Sequence, residues 1–593
     1  MPVIRRELTA PGQHGSRIFR KHSLPHEEEI STIPVFYPFL IALIPILHLL
    51  ASNPGQARFS DALIPILISL GFTLVAFVVL RLVLKNWEAA GLIVSLFLVL
   101  FFSYGQLFFY IRHLLKYGSL GVRALDLLFV AFCIVLIAGA FLIVRFRSRL
   151  CTLSRNLLRA FSGVVAKVMI LAYIIGLFSI FIFGYLLAGI TRGALYAHFL
   201  FFTFCAILIA GVWLIVKFRD RLRNPTRILN VVAAVLMVLI LVNLFTSGTP
   251  RDVTIRKDEV RRAAESKNVA LPDPADLPDI YYIILDEYGS ERLLRDHYGY
   301  DNSEFIRWLE DHSFYVAHDS HSNYNQTYLS LASSLNMQYI NYLSGDMGER
   351  SQDMTPLRRM IEDNSLMRFL KSRGYKFAFC GTGYSATRSN RFADIAYVNK
   401  RIISEFRAAL LTSTVVQYFS KRGVLDLATR ESILNEFANI PLTRKRVEGP
   451  LFLFAHILSP HEPFLFDRDG GPMKAKVSSE DKYIEQLIFV NKKVEEMVEG
   501  ILSVSDRPPV IVIQGDHGPN VAGVGYSSDN LNAYHLPVGE DLLYRSITPV
   551  NSFRIILNSI FGTGFSLLED KVYISSVDTP YSFKETTKTL DGK

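Results

Sequence analysis

Long apolar runs fill the chain from residue 34 to 246, and an ordinary mixture of apolar and polar residues takes over beyond 250. Seven runs, at roughly 34–51, 62–84, 89–111, 126–145, 161–190, 197–216 and 228–246, are each long enough to cross an apolar layer of about 30 Å. The fifth is long and contains Lys167, as a tilted span, or one that begins with an interfacial turn, would.

After residue 278 the period of the pattern changes. Strand-like runs at Ile280–Leu285, Lys376–Cys380, Leu451–Ala455 and Val510–Ile513 are separated by helical patterns such as Ser303–His312, Leu366–Ser372 and Tyr483–Val498. The expected fold is a multi-pass α-helical membrane bundle followed by an α/β domain, its mostly parallel sheet covered by helices on both faces. The pattern divides the chain into a basic tail at 1–33, a bundle at 34–246, a juxtamembrane linker at 247–277, an α/β domain at 278–570 and a tail at 571–593. Within the linker, Arg251 to Lys267 has the charge of a short surface helix, and Leu271-Pro-Asp-Pro ends it.

The net charge is +9, and its position decides its meaning. Basic residues collect on the N-terminal tail (Arg5, Arg6, Arg17, Arg20, Lys21), at Arg81 and Lys85, between Arg145 and Arg159, and between Lys217 and Arg227. The alternate loops carry only Arg58, then Arg112, Lys116 and Arg123, then Arg192. This asymmetry orients membrane helices and does not point to nucleic acid. It puts the N-terminus in the cytoplasm, and seven crossings then place the C-terminal domain outside. Of four cysteines only Cys380 follows the bundle, so no disulfide can form within that domain. The first 33 residues are polar and basic, and the next run lacks an Ala-x-Ala exit, so no cleavable signal peptide is expected.

In parallel sheets ligands gather where strands end. Leu285-Asp-Glu-Tyr-Gly289 follows the first strand and Gln514-Gly-Asp-His-Gly518 the last. Asp286, Asp516 and His517 offer oxygen and nitrogen ligands suited to Zn²⁺ or Mn²⁺, while strand-end Asp residues also cap turns. Between them, apolar residues at 328, 329, 331, 332 and 335 predict a helix that opens near Thr327. A hydroxyl there faces free amides and the positive end of the dipole, an anion site or an N-cap. Asn325-Gln-Thr327 is formally a glycosylation sequon, read as chance and as a prokaryotic trait. His535 reads as a core or rim histidine.

Strand then Asp286, a Thr opening a helix some 40 residues on, Ser459-Pro-His-Glu-Pro-Phe464, and strand then Gly515-Asp-His-Gly518 occur in the order of the sulfatase-like family of the alkaline phosphatase superfamily. By architecture the chain resembles the membrane phosphoethanolamine transferases and lipoteichoic acid synthases. The resemblance implies Thr327 as nucleophile, Asp286, Thr327, Asp516 and His517 around one divalent ion, and His461 at the transferred group. It implies substrate roles for Arg391 or Arg388, each otherwise a solvated loop arginine, and for His456, otherwise a packed strand-end histidine. Glu287, a further substrate-side candidate, stands where relatives carry a second Asp ligand, so it either binds metal or points to solvent. No Cys-x-Pro-x-Arg motif is present, which disfavours sulfate hydrolysis. The implied activity is transfer of a phospho-linked head group from a membrane phospholipid to an envelope glycan or lipid acceptor, in a bacterial-type inner membrane. A membrane-anchored ester hydrolase and a non-catalytic scaffold are the alternatives.

Overall fold

The computed structural model describes residues 34–117, 192–247, 273, 276–398, 403–419, 423–474, 478–521 and 525–586. The bundle contributes α1 (Tyr37–Ala51), α2 (Phe59–Leu84), α3 (Trp87–Tyr117), α4 (Arg192–Lys217) and α5 (Arg223–Ser247). Among the described residues, α2 to α5 supply four helices long and apolar enough to cross a membrane, and α1 is a shorter apolar helix. The runs expected at 126–145 and 161–190, the N-terminal tail and the charged part of the linker lie outside the described residues.

Leu82 and Val83 on α2 and Phe245 on α5 are more than two-thirds exposed, at 69%, 70% and 72%. Lipid can cover such a surface and water cannot. Where α1 begins, Asn230 of α5 satisfies the free backbone: its Oδ1 accepts from the Tyr37 amide at 3.1 Å and its Nδ2 donates to the Pro34 carbonyl at 2.7 Å.

Beyond the linker a seven-stranded sheet forms from β1 (Ile280–Leu285), β2 (Tyr315–Val316), β3 (Lys376–Gly381), β4 (Ile395–Val398), β5 (Leu451–Ile457), β6 (Val510–Gly515) and β7 (Asn532–His535). Its order is β2-β7-β6-β1-β5-β3-β4. β6, β1, β5, β3 and β4 run parallel, while β7 lies antiparallel to β6 and to β2. Every residue of β1, β5 and β6 is buried, as a sheet covered on both faces requires. The helices used below are α6 (Thr327–Ser334), α7 (Thr355–Glu362), α8 (Glu405–Thr412), α9 (Val416–Phe419), α10 (Gly423–Leu442), α11 (Ser479–Val504) and α12 (Pro549–Phe561). Tyr282 and Ile284 face a core shared with α6, α7 and α12, and Tyr281, Ile283 and Leu285 face one shared with α10 and α11.

The expected tail at 571–593 includes a hairpin, β8 (Val572–Ser576) and β9 (Thr579–Thr586). It packs on the domain: the Tyr573 amide donates to the Asn323 carbonyl at 2.9 Å, and the Tyr581 hydroxyl to the Asp353 carbonyl at 2.5 Å.

The domain sits on the loop joining α1 and α2. Met354 N–H donates to the Pro54 carbonyl at 3.1 Å, and Arg58 Nη1 donates to Ser389 Oγ at 2.9 Å. Gly55 makes that approach feasible. Its φ is +78°, and a Cβ there would lie 2.1 Å from the Thr355 nitrogen.

Candidate active site

Three adjacent parallel strands, β6, β1 and β5, end at one level, with Leu285 opposite both Gly515 and Ile457. The residues at or just before their carboxyl ends therefore converge. Asp286 Oδ2 lies 3.6 Å from His456 Nε2, and Asp286, His456 and Asp516 bring ligand atoms within 4.8 Å of one another. Asp286 Oδ1, His456 Nε2 and Asp516 Oδ2 are buried with no hydrogen-bond partner. Orphaned buried atoms of this kind are costly unless something binds them, and two carboxylates this close resist joint ionisation. The group fits a divalent cation.

The surroundings aim these ligands. Thr387 Oγ1 lies 2.9 Å from His456 Nδ1, which leaves Nε2 to face the carboxylates. Burial holds His456 down at about 4, so the ring is neutral. Burial and then the Asp516 carboxylate push Asp286 up. Although burial opposes it, His517 holds Asp516 down.

His517 Nδ1 lies 2.9 Å from the Gly518 carbonyl, which only accepts, so Nδ1 carries a proton and Nε2 faces the site; burial opposes charging the ring, but Asp516 and Glu287 hold its pKa up. That Nε2 lies 3.2 Å from Thr327 Oγ1 and 3.3 Å from Asp516 Oδ2. Gln326, not Thr327, is the N-cap of α6, and it caps without a side-chain bond. Thr327 is the first helical residue, with its hydroxyl turned to His517 instead. Ser330 Oγ ties α6 to the strand end by donating to the Asp516 carbonyl at 2.6 Å.

Glu287 has a left-handed φ of 61°, uncommon for a residue with a Cβ. Its amide donates to Asp516 Oδ1 at 3.0 Å, its carbonyl accepts from Tyr483 of α11 at 2.8 Å, and its Oε1 lies 3.5 Å from His461 Nε2. Burial opposes protonation of His461, but Asp286 and Glu287 push it up to about 9. Gln486 of α11, fully buried, holds the loop that carries His461. Its Nε2 donates to the Pro460 and His461 carbonyls at 3.1 and 3.0 Å, and its Oε1 accepts from the Leu465 and Phe466 amides at 2.6 and 3.2 Å.

Sequence reasoning put Asp286, Thr327, Asp516, His517, His461, His456 and Glu287 near one centre, and the structure brings all seven together. It places His456, read as a substrate or packing residue, in the tight group with Asp286 and Asp516. Arg388 and Arg391 are not among the described residues that line the cavity. Arg388 pairs with Asp61 of α2, and Arg391, 70% exposed, lies 3.9 Å from Glu362. His535 bonds the Pro509 carbonyl at 2.7 Å, a structural role. Gln486 and Ser575 were missed. Ser575 of β8 accepts from Asn325 and Gln326 at 3.2 and 3.1 Å, clamping the residues before Thr327 and burying the sequon asparagine.

Thr327, His517, His461 and Glu287 open into a cavity of about 380 Å³. Its other walls include Leu49 of α1, Asn53, Gln56 and Ala57 of the α1–α2 loop, and Glu405, Phe406 and Ala409 of α8.

Residues 278–550 match the family model described as Sulfatase. By sequence the chain matches no curated protein. Among solved structures it is similar to the C-terminal periplasmic domain of EcEptC from Escherichia coli in complex with Zn, at 12% identity and a TM-score of 0.37, over 54% of this chain and 95% of that one. It is similar to the lipoteichoic acid synthase LtaP from Listeria monocytogenes at 14% identity and a TM-score of 0.32, over 52% and 81%. The soluble domain of lipooligosaccharide phosphoethanolamine transferase A from Neisseria meningitidis aligns at 10% identity and a TM-score of 0.33, over 49% and 90%.

Proposed function

From a chain that carries a Sulfatase-family domain over residues 278–550, we propose a metal-dependent transferase that moves a phospho-linked head group, of phosphoethanolamine or phosphoglycerol type, from a membrane phospholipid to an extracytoplasmic glycan or lipid acceptor. The observation that carries this reading is the shared cavity. One wall holds Thr327, His517 and His461, and another is built from the end of membrane helix α1 at Leu49 and from the α1–α2 loop at Asn53, Gln56 and Ala57. A phosphodiester can occupy such a space while its acyl chains stay in the bilayer.

Asp286, His456 and Asp516 would hold a divalent ion, with Thr327 and His517 beside it; the nitrogen and oxygen donors suit Zn²⁺ or Mn²⁺. When bound, such an ion supplies Lewis-acid polarisation and neutralises phosphoryl charge. The Thr327 hydroxyl gives its proton to His517 Nε2, 3.2 Å away, as its oxygen attacks phosphorus and the bond to the diacylglycerol oxygen breaks. His461, which lines the same cavity, donates a proton to that oxygen. This leaves a phosphothreonine diester, which an acceptor hydroxyl then cleaves, returning Thr327. The test is reconstitution of the full chain with head-group-labelled phospholipids, with and without glycan or lipid acceptors. Acceptor-dependent release of diacylglycerol is the expected result. Cleavage of soluble phosphate or sulfate esters with phospholipids untouched would establish a hydrolase instead.

A further inference from the structure

Residues 404–419 belong to the α/β domain by position in the chain, yet they lie among the membrane helices. α8 packs Phe406 and Leu410 against Ile46 and Leu50 of α1 and Ala62 of α2. The turn into α9 meets α3, where Gly105 N–H donates to the Ser413 carbonyl and Val415 N–H to the Phe101 carbonyl, both at 2.9 Å. Those α3 groups are the two ends of one i to i+4 rung, and both reach out to this turn. A Cβ on Gly105 would lie 1.9 Å from the Thr412 carbonyl oxygen, so contact this close needs glycine. On α9, the Tyr418 ring stacks on Phe201 of α4 with centroids 4.1 Å apart, and its hydroxyl lies 2.7 Å from His198 Nδ1.

Depth follows from α3. Its apolar stretch runs from Trp87 to Tyr110. At 1.5 Å per residue, Gly105 and Phe101 lie about 8 and 14 Å short of Tyr110, the end toward the α/β domain. The turn is therefore level with the outer half of an apolar layer about 30 Å thick. Its hydroxyls are arranged for that setting, although Gln417 Oε1 is buried without a hydrogen-bond partner. Thr412, Ser413 and Thr414 each donate a hydroxyl to the backbone of the preceding helical turn, at 2.9, 2.8 and 2.8 Å. Non-helical backbone is tolerated in hydrocarbon only when its groups are satisfied by protein. After the turn the exposed residues are apolar, Phe419 at 64% and Val416 at 36%, while Glu405 and Ala409 at the start of the segment face the cavity. The sequence then turns basic at Lys421 and Arg422, side chains suited to the head-group level.

We infer that residues 404–419 form a membrane-embedded wedge of the catalytic domain, seated among α1 to α4, that touches outer-leaflet acyl chains through Val416 and Phe419. Because Glu405, Phe406 and Ala409 also line the catalytic cavity, one wall of the site is a segment in contact with lipid. The inference uses the membrane placement of the bundle and not the reaction proposed above, so the two stand or fall separately.

The experiment is fluorescence quenching of the full-length protein in phosphatidylcholine vesicles. Trp87, Trp213 and Trp308, the three native tryptophans, are replaced by Phe, and a single probe is introduced by Phe419→Trp or, in a second protein, Val416→Trp. Lipids brominated midway along their acyl chains should lower the emission of either probe at least about twofold. A Leu542→Trp probe, on an exposed site of the α/β domain, should not respond. Adding Gly105→Val should push the turn off α3 and cut the quenching. Gly71→Val, at a position with nothing within 4 Å, should leave it intact. Bromolipids without effect on both the 416 and 419 probes would overturn the lipid contact, whether water or a second copy of the chain covers them. Quenching unchanged by Gly105→Val would overturn the seating on α3.

Discussion

At the scale of single residues, the proposed chemistry rests on orphaned atoms and on one hydroxyl. Thr327 lies at the start of a short buried helix but does not cap it, so its side chain is free to face His517. Thr327→Ala should lower turnover by a factor on the order of 10³ or more, while thermal unfolding shifts by less than the ~1 kcal/mol of a lost cap. Turnover assays paired with melting curves check this, and substantial activity in the Ala variant would mean that Thr327 is only structural. Asp286, Asp516 and His517 were legible in the sequence because each follows an apolar strand. His456 was not legible as their partner. It lies inside a strand, and only the β1–β5 register, which sets it opposite Ile284, brings it beside Asp286.

At the scale of elements, α11 sets the site from behind. Gln486 of α11 closes the His461 loop through four backbone bonds. Gln486→Leu should lower kcat about 10- to 100-fold with a smaller change in KM, since small displacements of a reacting group are costly. Steady-state kinetics beside a melting curve separates this from unfolding; a loss no larger than the unfolded fraction would leave Gln486 a packing residue. Glu436 of α10 carries a buried carboxyl: Ser432 Oγ donates to its Oε1 at 2.8 Å, and burial pushes it up to about 8 from the ordinary 4.5. Between those values only the unfolded chain loses the proton, so native stability falls as pH rises through that window. Glu436→Gln removes the titration. Its Tm, relative to the parent, should rise between about pH 5 and pH 9, and parallel melting curves at the two pH values would contradict the buried, protonated state.

At the scale of the whole molecule, bundle and α/β domain meet on one side of the membrane. The C-terminal end of α1, the N-terminal ends of α2 and α4 and the later half of α3 all touch the domain. The charge bias of the loops predicts that this side is extracytoplasmic, so a reporter active only outside the cytoplasm, fused after Lys593, should be active. A signal confined to the cytoplasm would reverse the topology. The sequence by itself determined the membrane bundle, the α/β class and the order of the candidate site residues. Apolar run length, strand period and polar residues at strand ends are local properties of the chain. Only the tertiary structure decided what completes the site and where it opens. The Ser575 clamp spans 250 residues, and the Asp61–Arg388 pair that takes Arg388 off the site spans 327. Such pairings carry no local pattern; they exist because burying polar groups at a seam requires partners, wherever in the chain those partners lie.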